Sequence, residues 1–124
     1  MPGQQRQRRP EPPPYRGDVW DVAFPRIGEH PAVAVTTNAL RGRLSSVTVV
    51  LVTGNEGPPM THVVLDESAG LTKYPVSYAN VTDLHTIPAA RCRRFRGRLS
   101  PEELRRLEAS LALVLGLPQP QTTS

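Results

Sequence analysis

The segment Val47-Thr48-Val49-Val50-Leu51-Val52-Thr53 constrains this chain most: six of its seven residues are β-branched and five are aliphatic. A branched Cβ crowds a helical turn but packs well on a pleated surface. A run this apolar at consecutive positions has no polar face to offer water, so it reads as a strand covered on both sides. Such a strand needs a neighbour along each edge and material over each face. The rest of the chain must supply both.

Residues 18–24 alternate, with Val19, Asp21 and Ala23 on one side and Trp20, Val22 and Phe24 on the other, a strand pattern. A loop is expected over 25–31, with proline at each end and Gly28 inside, then a second strand over 32–37 and a turn or short helical piece over 38–43. After the central strand, 54–59 reads as a loop rich in Gly and Pro, 61–65 as a strand, Gly70-Leu71 as a turn, and 76–87 as one or two strands between Pro75 and Pro88. One helix is expected. Ser100 is placed as its N-cap, Pro101 at its first position and Glu103 to close a capping box, while Leu104, Leu107, Leu111, Val114 and Leu115 form an apolar stripe that Gly116 ends. Strands first and a packing helix last give an α+β fold: a small, mostly antiparallel sheet of about five to seven strands, curled toward a barrel, with the C-terminal helix against it.

The chain of 124 residues allows one domain. Residues 1–14 are rich in Pro, Arg and Gln and bury too little to offset their ordering entropy, so they read as a disordered basic arm; 118–124 reads as a second loose tail. The folded unit is then 15–117. Cys92 is the single cysteine, which leaves no intrachain disulfide and suits a reduced, cytoplasmic home. The basic N-terminus precedes no apolar stretch of the secretory kind, and no run approaches the roughly 18 apolar residues that span a bilayer. No membrane partner is expected.

The net charge of +4 is unevenly spread. Residues 17–90 sum to −3, while 91–98 hold Arg91, Arg93, Arg94, Arg96 and Arg98 for +5. That cluster suits a phosphate-binding surface, because each guanidinium displaces a condensed counterion. The competing reading is an edge strand kept from aggregating by its charge.

Seven landmarks occur in one order: Arg16-Gly17-Asp18-Val19-Trp20, then 31–38, 47–53, Thr61-His62-Val63, Gly70-Leu71, Leu84-His85-Thr86-Ile87 and Gly97-Arg98-Leu99-Ser100. In that order they resemble the MazF/PemK toxins, small bacterial endoribonucleases of type II toxin–antitoxin systems with a PemK/CcdB-like, SH3-like barrel. The resemblance covers about 16–117. It implies cleavage of single-stranded RNA without metal or other cofactor, by attack of a ribose 2′-OH to leave a 2′,3′-cyclic phosphate and a 5′-OH. It also implies a homodimer, and a cognate antitoxin whose disordered acidic tail folds into the same basic groove. The family's two main catalytic positions, an Arg before the second strand and a Thr or Ser ending the third, fall on His30 and Thr53.

Thr53 keeps the family's hydroxyl, and as a structural residue it would cap the turn into Gly54. His30 departs from the family. Imidazole cannot reproduce the guanidinium fork, but it titrates near neutrality and so suits acid–base work. Three readings stay open: His30 is the acid or base, another arginine (Arg26, or Arg41 and Arg43) takes the missing role, or the site is weakened. The loop before His30 is shorter than in typical members, and Glu29 beside it either orients the imidazole or is an ordinary loop carboxylate. His85 replaces a second family Arg. With Arg26, Glu29, Asn80, Thr82 and Asp83 it makes up the expected RNA-binding set, against the alternative of polar groups on a solvent face. His62 is read as structural. The rival functions are a catalytically silent member that binds RNA or antitoxin, and a gyrase-directed toxin of the same fold.

Overall fold

The computed structural model describes residues 13–119 except Glu67, Ser68 and Tyr74. Most of the N-terminal arm and the end of the C-terminal tail therefore lie outside the described residues. Among the described residues six strands precede one α-helix: β1 (Asp18–Phe24), β2 (Gly28–Ala34), β3 (Ser46–Thr53), β4 (His62–Leu65), β5 (Ser77–Pro88), β6 (Cys92–Arg98) and α1 (Pro101–Leu115), with a 3-10 turn at Ala89–Arg91 between β5 and β6. They form one sheet in the order β4-β5-β3-β2-β1-β6, antiparallel at every pairing. The β-branched segment is β3, flanked by β5 and β2 as its composition demands.

Two strands separate β1 from β5, yet the Phe24 ring at the end of β1 lies 5.1 Å from the His85 ring on β5. The sheet is therefore strongly curled, and it stays open because β4 and β6 are not paired with each other. One face buries Val22, Phe24, Ala32, Ala34, Val47, Val49 and Ile87. The other buries Val19, Val33, Val50, Val52, Val63 and Val81 beneath Leu104, Leu107 and Leu111 of α1. The helix begins as expected: the Ser100 hydroxyl accepts from Glu103 N, and the Glu103 carboxylate accepts from Ser100 N at 2.8 Å. Glu103 is fully buried and also accepts from Asp66 N at 2.7 Å, so one carboxylate closes the cap and ties down the chain leaving β4. Gly116 ends the helix in the left-handed region at φ 70°. The expected apolar stripe holds only for its first three leucines; Val114 and Leu115 are exposed.

The second strand starts at Gly28 rather than 32 and ends at Ala34 rather than 37. Phe24 pairs with Gly28, leaving a three-residue turn whose tightness is met by Gly28 at φ 82°. Pro31 withholds a donor just before pairing with β3 begins at Ala32. Beyond Ala34 one backbone bond continues, from Val35 N to the Thr48 carbonyl at 2.9 Å, and then the Thr36 hydroxyl accepts from Thr48 N at 2.8 Å, so a side chain takes over from the strand ladder. The segment expected as one or two strands is a single strand, β5, with an irregularity where Val50 pairs with Leu84 but Val52 pairs with Ala79. The arginine-rich segment is β6, an edge strand.

Candidate active site

Continuing the β2–β3 register two residues past Ala32↔Leu51 sets His30 opposite Thr53 at one end of the sheet. Both line a pocket of about 430 Å³ there, with Glu29, Asn55, Lys73 and Arg96. Strand alternation directs His30 and Thr53 toward the face of Val22 and Leu51, and Asp21, Pro31 and Val52 toward the other. The pocket draws on both sets because it opens where the strands stop.

Local hydrogen bonds fix what each group offers. His30 Nε2 lies 3.1 Å from the carbonyl oxygen of Ile27, which can only accept. Nε2 therefore carries the proton, and neutral imidazole keeps its lone pair on Nδ1. The Thr53 hydroxyl accepts from Asn55 N at 3.1 Å, which organises the turn and leaves its own proton to donate. Capping the turn and donating to a ligand are thus compatible.

Sequence reasoning missed Arg96 as a member of this pocket. Its Nη1 donates to both oxygens of Asp21, at 2.9 and 3.2 Å, and its Nη2 donates to the carbonyl of Gly70 at 3.0 Å. The β1–β6 register explains the aim: Val19 pairs with Gly97 and Trp20 with Phe95, so Arg96 is the extra residue of a bulge. Gly70, at φ 74°, passes so close that any side chain there would collide with the Arg96 carbonyl. That approach brings the chain carrying Leu71 and Lys73 against the pocket. The five-arginine segment was the available signal, but no sequence pattern told which of the five a bulge would turn.

The other singled-out residues fall elsewhere. Arg26 is exposed in the β1–β2 turn and does not line the pocket. Arg41 lies 3.7 Å over the Tyr15 ring, and Arg43 is exposed beside it, both away from His30. Asn80, Thr82, Asp83 and His85 sit on β5 outside the pocket. Asn80 accepts from the amide and hydroxyl of Thr82 at 3.1 and 2.6 Å, within the β5 irregularity. His85 Nε2 lies 2.7 Å from Asp83 Oδ1, a donor–carboxylate pair beside Phe24. His62 meets the Thr61 hydroxyl at 2.9 Å and the Tyr78 ring edge, and its own ring fills the space a side chain at Gly57 would need.

Over residues 15–115 the sequence matches the family described as PemK-like, MazF-like toxin of type II toxin–antitoxin system. Among solved structures, an endoribonuclease in complex with its cognate antitoxin from a mycobacterial species is 27% identical, with a TM-score of 0.77 over 87% of this chain and 100% of that one. An endoribonuclease from a mycobacterial species is 26% identical, with a TM-score of 0.74 over 86% and 95%. A MazE–MazF structure from Deinococcus radiodurans shares the fold at 19% identity, with a TM-score of 0.70 over 85% and 97%. No protein of curated function matches the sequence.

Proposed function

The chain belongs to the PemK-like, MazF-like toxin family of type II toxin–antitoxin systems, and from that membership we propose that it is a sequence-specific endoribonuclease that cuts single-stranded RNA without a metal ion. The observation that carries this reading is that His30 and Thr53 line one pocket, His30 Nε2 lying on the Ile27 carbonyl and the Thr53 hydroxyl accepting from Asn55 N. In this reading His30 Nδ1 takes the proton of the ribose 2′-OH as its oxygen attacks the adjacent phosphorus. The phosphorus–O5′ bond breaks, leaving a 2′,3′-cyclic phosphate, and the departing oxygen takes a proton from solvent to become the 5′-OH. Thr53 donates to a non-bridging oxygen, and Arg96, held by Asp21 and Gly70, sets a guanidinium in the pocket wall. Asn80, Thr82, Asp83 and His85, presented at the β5 irregularity, suit contacts to unstacked bases.

The partners we assign are single-stranded RNA and a cognate antitoxin, in the cytoplasm. The antitoxin follows from family membership and from the relative solved with its own antitoxin. A homodimer is supported by an apolar groove of about 590 Å³ between α1 and the sheet, where Leu40, Leu44, Leu84, Leu115 and Leu117 are exposed. Incubating a labelled RNA pool with the protein in EDTA tests the enzymatic reading. Fragments ending in cyclic phosphate are expected. Intact RNA together with measurable antitoxin binding would instead mark a binding protein built on the same scaffold.

A further inference from the structure

Outside the pocket, β6 presents an exposed aromatic among arginines. Phe95 is 47% exposed, although an edge strand has little reason to show a phenyl ring to water. One side of it meets the Trp20 ring edge-on at 5.7 Å, and the Arg98 guanidinium lies 5.6 Å from its centroid. Arg98 is 63% exposed while it bridges the buried Asp18, so its planar group is held in place yet open to solvent. Arg93 and Arg94 are exposed and make no ion pair among the described residues. The acids that β1 brings across the pairing, Asp18 and Asp21, are engaged by Arg98 and Arg96.

We propose that Phe95 and Arg98, flanked by Arg93 and Arg94, form a second RNA-contacting surface that stacks a base and holds the phosphates of the strand outside the cleavage pocket. The inference rests on the ribonuclease reading for its ligand. An immobilised ring beside a guanidinium plane suits a base, since every base has a π-face, and uncompensated arginines suit the polyanion that carries it. Arg96 of the same strand turns into the pocket at the bulge while Phe95 stays outside it. One strand thereby supplies cations to both.

The test is binding of a fluorescent single-stranded pool carrying 2′-O-methyl groups, which cannot be cut by 2′-OH attack. Phe95→Leu keeps apolar contact with Trp20 but removes the π-face, and it should weaken binding about tenfold, while Phe95→Trp retains it. The double variant R93Q/R94Q should lower the slope of log affinity against log salt by about 1.4. Unchanged affinity for Phe95→Leu with an unchanged slope for R93Q/R94Q overturns the proposal. So does conversion of a dimer to monomer by Phe95→Leu, which would assign the face to a second copy, or loss of antitoxin binding with RNA binding intact. Cleavage of unmodified RNA by the unaltered protein is read separately. Its absence, with Phe95-dependent binding retained, would remove the enzymatic reading alone.

Discussion

His30 is held at one nitrogen by a carbonyl, and in the proposed reaction the other nitrogen acts as the base. Replacing it with Ala should slow cleavage at least about 100-fold if it moves the proton, with RNA affinity little changed in a binding titration. Thr53→Ala should cost a similar factor by removing a donor to the phosphorane, and Thr53→Ser should restore most of it. Arg96→Lys keeps the charge but loses the fork shared by Asp21 and Gly70, so it should behave closer to Arg96→Gln than to the unaltered protein in single-turnover assays. Cys92 reports on the same sheet by a different route. Burial, and then the negative Asp18, raise its thiol from 9.0 to about 11. The unfolded thiol releases its proton first, so the stability this group contributes at neutral pH is lost as pH climbs from 9.0 toward about 11. Alkylation of the folded protein at mildly alkaline pH should run about 100-fold slower than for an ordinary thiol. The meeting of His30 and Thr53 in one pocket could be anticipated from the sequence, through the motif positions they occupy. Arg96 could not, because its role depends on one inserted residue in a strand pairing.

The elements were legible where local chemistry decides them. Ser100, Pro101, Glu103 and Gly116 mark the ends of α1 by capping and left-handed backbone, and the helix spans the segment they enclose. Ser100→Ala should lower stability by about 1 kcal/mol in denaturant titration. Glu103→Ala should cost more, about 2 kcal/mol, because it also releases the Asp66 amide. β3 was legible from its branched residues, and its central place followed from needing cover on both faces. Pairing geometry was not legible. The early start of β2 depends on a tight turn closing at Gly28, the continuity of β5 on accommodating extra residues beside Leu51, and the exposed end of the α1 stripe on how far the helix overruns the sheet.

Across the whole molecule, charge and curvature work together. The sheet curls enough to bring Phe24 to His85, and its ends gather the pocket at one side and the apolar groove at the other. Arginines of β6 lie along the edge between solvent and pocket. RNA binding should therefore weaken steeply with salt, and light scattering should find a dimer whose dissociation is promoted by a charge placed at Leu115. The central claim is the proposal that this family scaffold cuts RNA with the His30 imidazole as its base. Its most direct test is the rate of cleavage of a labelled RNA pool in EDTA, measured for the unaltered protein and His30→Ala. The account predicts cyclic-phosphate ends and a rate that falls at least about 100-fold in the variant. Equal rates for the two proteins, or RNA left intact by both, would contradict it.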